Sequence, residues 1–364
     1  MLYHLLYPLR EFFFGFNVFR YITVRAACAG ATAFLLCVLL GSQFIRWLVR
    51  MRLGQHIRAR EEHAQLYELH RDKKGTPTMG GLLVIGAAVG ASLLWANLTN
   101  GFLWLTIAIT CGLGFVGFLD DYLKWVKHES KGLTARAKFL GQVLIAGALL
   151  FHLMRAGPPT GEMEVPFFKS VHLALGWWYV PFAMAVVVGS SNAVNLTDGL
   201  DGLATGCMIM AAVAFAGMAY VTGHSRFAEY LGVYHAAQAG ELAVFCAAIA
   251  GACLGFLWFN SYPATGFLGD TGALALGGAI GTVAVLVKKE LLLALVGGIF
   301  VVESLSVILQ VGSYKLRRRK RIFLMAPLHH HFQMLGWAET KVTVRFWIIG
   351  ALLALLSLTT LKLR

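Results

Sequence analysis

Apolar runs long enough to cross a bilayer as helices, about 20 residues each, recur through this 364-residue sequence and leave little between them. Ten can be placed, at roughly 22–48, 77–96, 101–119, 139–156, 175–192, 203–222, 240–259, 271–288, 291–312 and 342–361. Only 13% of the residues are charged, where a soluble domain carries about a quarter. Inside hydrocarbon every backbone polar group must find its partner within the segment, so runs of this kind become helices. The expected fold is all-α: a polytopic membrane protein of about ten transmembrane helices, with residues 1–364 forming one integral-membrane domain. The first run is too long for the apolar core of a cleavable signal and is expected to stay as a span.

Orientation follows from Lys and Arg. The loops after the first, third and ninth runs carry 19 of the chain's 31 basic residues. That face is expected to be cytoplasmic, and ten spans then put both termini outside. The net charge of +13 is mostly this bias, and the remainder suits an anionic substrate. Nucleic acid is not expected as a partner. The six cysteines lie in apolar runs without a Cys-x-x-Cys pair, and read as small buried apolar residues. On the opposite face the longest link, near 157–176, contains EMEVPFFKSV and is expected to form a small hairpin.

Each cytoplasmic loop holds polar residues worth weighing. KKGTPTMGG (Lys73–Gly81) offers Lys73 to a phosphate or a base carbonyl, and Thr78 as a hydroxyl donor. A purely structural role is a helix start with Thr76 as N-cap and Pro77 at the first helical position. Asp120 and Asp121 repel unless they share a cation, and Mg2+ takes oxygen ligands while leaving positions for phosphate. The structural alternative is a helix-end pair neutralised by Lys124 and Lys127. In NAVNLTDGLDGLATG, Asn195, Asp198 and Asp201 recur every three residues and are expected on one face of a helical turn. Gly199 permits close approach of a ligand to the backbone, and no neighbouring base neutralises these acids.

WFNSYPATGFLGD places Asn260 and Asp270 around a Pro/Gly loop, with Phe267 available to stack a planar base or anchor at the headgroups. Asp270 is the best single metal candidate. APLHHHF presents His329, His330 and His331. Consecutive side chains diverge by about 100° on a helix, which serves one zinc ion badly and several phosphate oxygens better. Glu303 and Gln310 lie within the ninth run, where a carboxylate needs a partner or a polar groove.

Taken together, KKGTPTMGG, GFLDDYLK, NAVNLTDGLDG, GFLWFNSYPATGFLGD and APLHHHF with RFW closely resemble the polyprenyl-phosphate N-acetylhexosamine-1-phosphate transferases. Within them, the HHH loop resembles the phospho-N-acetylmuramoyl-pentapeptide branch, over essentially the whole chain. Two stretches depart from that pattern. Gln333-Met334-Leu335 stands where Glu–Leu–Lys is common, and Thr271-Gly272-Ala273 where Val–Gly–Ser is usual. Neither is expected to touch a candidate ligand.

The resemblance implies transfer of phospho-N-acetylmuramoyl-pentapeptide from UDP-N-acetylmuramoyl-pentapeptide to undecaprenyl phosphate, with Mg2+ as cofactor, membrane lipids as surroundings and a homodimer as the assembly. It implies that Asp270 binds the metal and that Asp120 and Asp121 position the lipid phosphate. Uridine is expected against Lys73, Gly199, Leu200, Asp201 and Phe267, with Asn195, Asp198, Asn260 and Gln310 nearby and Thr78 among the substrate contacts. Lys138, His329, His330 and His331 are expected to meet the diphosphate or sugar. A covalent aspartyl-phosphate route stays open beside direct displacement. A transporter would also hold ionisable residues in a membrane body, but these acids sit at one rim and no inverted repeat is evident.

Overall fold

The computed structural model describes residues 1–51, 73, 75–127, 132–155, 162–168, 172–317 and 319–362. Most of the first basic loop, with Lys74, Lys131 and Arg318, lies outside the described residues. The helices are α1 (Leu2–Leu6), α2 (Ile22–Arg50), α3 (Gly81–Trp95), α4 (Gly101–Lys127), α5 (Ala135–Arg155), α6 (Tyr179–Thr197), α7 (Leu203–Gly223), α8 (Ser225–Leu231), α9 (Gly240–Asn260), α10 (Gly269–Leu286), α11 (Glu290–Val296), α12 (Gly298–Leu316), α13 (Leu328–Met334) and α14 (Glu339–Thr359). Strands β1 (Glu162–Glu164) and β2 (His172–Ala174) pair antiparallel, Met163 opposite Leu173, so the expected hairpin is present.

Among the described residues, eight helices are long and apolar enough to cross a membrane: α2, α4, α6, α7, α9, α10, α12 and α14. Two of the ten expected runs are not among these eight: α3 is apolar but has only 15 residues, and α5 covers the run at 139–156. The run at 291–312 is broken into α11 and α12 at Gly297, and α12 alone has the length to cross. The adjacent glycines, Gly297 and Gly298, give the backbone its break, and a side chain on Gly298 would press within 2.6 Å of Leu353. Apolar length carries no trace of such an interruption.

Helix α10 is the axis of the bundle, and every residue from Thr271 to Leu286 is buried. Its sequence, GDTGALALGGAIGTVAVL, explains why: small residues let neighbouring backbones approach closely. A Cβ on Gly277 would overlap the Ser190 carbonyl of α6, and one on Gly278 would overlap Leu113 of α4. The Ser190 hydroxyl seals the α6 crossing by donating to the Gly277 carbonyl at 2.8 Å. On the other side of the body, α9 packs against α2 where a Cβ on Gly251 would overlap the Gly30 carbonyl.

The segment before α3 differs from the helix start expected there. Helix α3 begins at Gly81, and Pro77–Gly81 instead runs alongside the α9–α10 loop. The Phe267 N–H donates to the Pro77 carbonyl, and the Gly80 and Gly81 N–H groups donate to the Phe267 and Leu268 carbonyls, each at 2.8 Å. Backbone pairing to a distant loop wins over a local N-cap because it satisfies three groups at once. The result draws the Lys73 loop over the head of α10.

The close crossing at Gly277 can be tested. Gly277→Val should cost about 3 kcal/mol or more through overpacking and lower the detergent-solubilised Tm. Gly86→Ala in α3, where nothing lies within 4 Å of the added carbon, should leave it unchanged or raise it. Equal Tm values for the two variants would contradict the packing described.

Candidate active site

Helix ends supply the site. The C-terminal end of α4 brings Asp120, Asp121 and Lys124, the first turn of α5 brings Lys138, the last turn of α6 brings Asn195, and the first turn of α10 brings Asp270. Lys124 Nζ lies 2.6 Å from Asp120 Oδ2 and 2.6 Å from Asp270 Oδ2, and 3.8 Å from Asp121 Oδ1. Lys138 Nζ reaches Asp270 Oδ2 at 2.9 Å and Asp120 Oδ2 at 3.8 Å. Asn195 Nδ2 donates to Asp270 Oδ1 at 2.6 Å. Asp120 Oδ1 accepts the Leu133 N–H at 2.7 Å, and Asp121 Oδ2 accepts both the N–H and the hydroxyl of Thr271, at 3.0 and 2.8 Å.

Three carboxylates thus face two ammonium groups, and the cluster keeps one negative charge in excess. Ligand oxygens of Asp120, Asp121 and Asp270 all lie within 4.8 Å of one another. An all-oxygen donor set with surplus negative charge fits a hard divalent cation such as Mg2+. Asp198 borders this cluster and accepts the Gly269 N–H. Burial, then the charges of Asp270 and Asp121, push its carboxyl up to about 8.

The expectation that Asn195, Asp198 and Asp201 share a helical face fails. Helix α6 stops at Thr197, and Asp198 caps it at φ −77°, ψ 56°. Asn195 therefore points to Asp270, while Asp201 lies beyond the turn with a different partner. Lys73 Nζ sits 2.6 Å from Asp201 Oδ1 and 2.5 Å from Glu339 Oε1. Asp201 Oδ2 accepts the Ala264 N–H at 2.9 Å. The acids of this turn are not without a base, as the local sequence suggested; the base arrives from Lys73, 128 residues away.

Phe267 is half-buried in the α9–α10 loop, three residues before Asp270. Thr78 approaches the same corner: a Cβ on Gly269 would lie 2.6 Å from Thr78 Oγ1 and 2.9 Å from Asp121 Oδ2. Leu200 is buried in the core. Asn260 is buried, its carbonyl accepting the Thr205 hydroxyl at 2.8 Å and its amide donating to the Gly266 carbonyl at 3.0 Å.

The three histidines ride on α13 and diverge. His329 is buried, its N–H 3.1 Å from Glu303 Oε1 and its Nδ1 3.1 Å from Glu303 Oε2. Its Nε2 lies against Gly199, where any side chain would collide with it. His330 Nδ1 meets Gln333 Oε1 at 2.8 Å, and His331 Nδ1 accepts the Leu324 N–H at 3.2 Å. Gln310 holds the preceding loop, accepting the Ile322 and Phe323 N–H groups at 3.0 Å and donating to the Phe323 carbonyl at 2.9 Å. So Glu303 has its partner. Both departures from the family pattern also touch candidate residues, contrary to expectation: Thr271 holds Asp121 and Gln333 holds His330.

A groove of about 770 Å3, lined by Phe139, Val143, Met184, Leu196, Phe300 and Ile308 among others, runs beside the cluster. Phe139 follows Lys138 directly, and Asn192, also on its wall, is one helical turn from Asn195. Lys124, Glu339 and Thr271 are the contacts that sequence reasoning did not assign to the site. Only Lys124 had a local signal, three and four residues from the two aspartates.

A helical membrane body with an acid–lysine cluster at its helix ends and an apolar groove nearby suits a membrane-embedded enzyme that handles phosphate groups. Residues 103–288 match Glycosyl transferase family 4, and residues 73–85 match phospho-N-acetylmuramoyl-pentapeptide-transferase signature 1. The chain is 53% identical over 364 residues to a protein of Desulfosudis oleivorans and 55% identical over 364 residues to one of Nitratidesulfovibrio vulgaris. It is 52% identical over 366 residues to one of Thermodesulfovibrio yellowstonii. Each relative is named phospho-N-acetylmuramoyl-pentapeptide-transferase, and 100% of both chains is covered. The chain belongs to the phospho-N-acetylmuramoyl-pentapeptide-transferase family.

Thr271→Val removes the hydroxyl from Asp121 and keeps the backbone N–H, so kcat should fall about ten-fold, the lower end of what one hydrogen bond to a charged group is worth. Unchanged turnover would show that the hydroxyl does not support Asp121.

Proposed function

We propose that this chain transfers phospho-N-acetylmuramoyl-pentapeptide from UDP-N-acetylmuramoyl-pentapeptide to undecaprenyl phosphate. The products are lipid I and UMP, in the first membrane step of peptidoglycan synthesis. The observation that carries this reading is the Asp120–Asp121–Asp270–Lys124–Lys138 cluster, with an apolar groove lined by Phe139 and Asn192 close by along the chain. A polyprenyl chain is the substrate part that such a groove accommodates, with its phosphate at the lysines.

An oxygen of the lipid phosphate attacks the β-phosphorus of the sugar nucleotide, and the bond from that phosphorus to the α–β bridging oxygen breaks, releasing UMP. A phosphate monoester with a second pKa of about 6 is mostly dianionic at neutral pH, so the attack needs little help from a base. Lys124 and Lys138 then position charge around the reacting phosphates. Asp120 carries the Leu133 N–H on one oxygen and Lys124 on the other, which suits a positioning group better than a covalent nucleophile. Mg2+ would be held by Asp270, with Asp120 and Asp121 sharing it, and would supply charge neutralisation between the phosphates.

Uridine falls to Lys73, Gly199, Leu200, Asp201 and Phe267, with Asn195, Asp198, Asn260 and Gln310 around it and Thr78 at the same corner. Lys138, His329, His330 and His331 serve the diphosphate and sugar. The bias of Lys and Arg supports a cytoplasmic site, ten crossings counting α3 and α5, and periplasmic termini in an inner membrane. One integral-membrane domain assembling as a homodimer belongs to the same proposal, on the family's pattern.

The test is release of UMP by purified protein in detergent, supplied with undecaprenyl phosphate, Mg2+ and either UDP-N-acetylmuramoyl-pentapeptide or UDP-N-acetylglucosamine. Turnover with the first alone is expected, and turnover only with the second would move the chain to a neighbouring branch. Asp270→Asn should abolish turnover at every Mg2+ concentration, and recovery at high Mg2+ would give Asp270 a peripheral role. Phe267→Ala should weaken UMP binding by roughly 1–3 kcal/mol if the ring stacks the base, as calorimetry would show.

A further inference from the structure

Glu339, far from every acidic motif in the sequence, closes a triangle with two residues of the nucleotide pocket. Its Oε1 accepts from Lys73 Nζ at 2.5 Å and from the Asp201 N–H at 2.8 Å, while Lys73 Nζ also lies 2.6 Å from Asp201 Oδ1. Each member touches the other two. Little solvent reaches them: the side chains are 13%, 2% and 10% exposed for Lys73, Asp201 and Glu339. Glu339 is also the first residue of α14, a 21-residue helix with no side-chain cap, where the positive end of the helix dipole favours a carboxylate.

The rest of α14 supports the same turn. Thr343 Oγ1 donates to the Asp201 carbonyl at 3.4 Å and Trp347 Nε1 to the Gly202 carbonyl at 3.2 Å. Residues 339, 343 and 347 are four apart and form one stripe of the helix. That stripe reads the backbone of Asp201 and Gly202, and Gly202 takes φ +71° there. A Cβ on Gly206 would overlap the Trp347 indole.

We infer that Glu339 is a positioning residue for recognition of the uracil edge, acting through Lys73 and Asp201. The inference rests on the placement of uridine proposed above. An ammonium has three donors, of which Asp201 and Glu339 take two, and the third remains for a base carbonyl. Each Asp201 oxygen carries one donor and keeps a lone pair for an imide N–H. A fixed donor beside a fixed acceptor matches uracil, which offers a carbonyl next to N3–H. Held in the same register, cytosine turns an unprotonated N3 towards Asp201 and loses that bond, whereas uracil keeps it. Without Glu339 the Asp201 N–H loses its acceptor and Lys73 is tethered by one carboxylate. The donor and acceptor then no longer hold their spacing.

Calorimetry of UMP and CMP on the full chain in detergent, with steady-state KM values, tests this. Glu339→Ala should weaken UMP about ten-fold, narrow the UMP-to-CMP ratio and raise KM for the sugar nucleotide, with KM for undecaprenyl phosphate unchanged. Glu339→Gln keeps an acceptor for the Asp201 N–H and should recover part of the affinity. It also serves where the alanine variant fails to fold. Wild-type UMP affinity and UMP-to-CMP ratio in both variants would overturn the inference, as would a fall in kcat with both KM values unmoved. Lys73→Ala and Phe267→Ala run in parallel separate the two levels. If neither alters UMP binding, the placement of uridine itself is wrong; if both weaken it while the Glu339 variants do not, only the role of Glu339 falls.

Discussion

A carboxylate at the head of a helix buried along its whole length is costly unless opposite charge meets it there. Asp270 is that carboxylate. Lys124 from α4, Lys138 from α5 and Asn195 from α6 all end on its two oxygens. Satisfying it therefore fixes the height of three helices against α10, and small residues allow the approach. Gly117 of α4 sits where a Cβ would overlap the Asp270 carbonyl. The same contacts that make the bundle register correctly assemble the groups that face phosphate. Folding and chemistry share one interaction, so substitutions at Asp270 carry consequences for both.

Around that centre the polar groups divide into separate nodes. One is the acid–lysine cluster, where three acids meet two lysines. A second is the Lys73–Asp201–Glu339 clamp, pinned by Ala264 N–H. The third is His329 on Glu303, with Nε2 against Gly199. The α6–α7 turn, Asp198–Gly202, touches all three: Asp198 borders the first, Asp201 belongs to the second, and Gly199 meets the third. A nucleotide with a base at one end and a diphosphate at the other needs such nodes at fixed separation.

Much of this was legible before any coordinates. Apolar runs located the helices, and the ends of those runs located the acids, because a membrane helix tolerates carboxylates chiefly at its rim. Partners across the chain were not legible. Periodicity reports which face is buried, but it does not say that Lys73 meets Glu339, 266 residues away. Local rules also misled where a distant partner was stronger. Thr76–Pro77 has the chemistry of a helix start, yet Pro77 pairs with Phe267. Gly297 reads as one more small residue in an apolar run, yet it breaks the run. Thr271 looked like a neutral replacement because its role is set by Asp121, on another helix.

Other buried charges show what distinguishes the site. At the opposite end of the bundle Arg25 meets Glu241 through two bonds of 2.6 and 2.7 Å, Lys289 pairs with Glu164, and the Tyr179 hydroxyl donates to Glu290 at 2.5 Å. These contacts set acids against bases or a hydroxyl and staple helices and the β-hairpin together. The Asp120–Asp121–Asp270 group is the one place among the described residues where three acids converge. Two lysines bridge it and still leave it negative. Ammonium groups on flexible stems can yield to a cation or swing to a phosphate, whereas a bidentate Arg–Glu pair cannot release either partner without leaving a buried charge. The chemistry falls where the charges are shared and unequal, and the structural staples fall where they are matched.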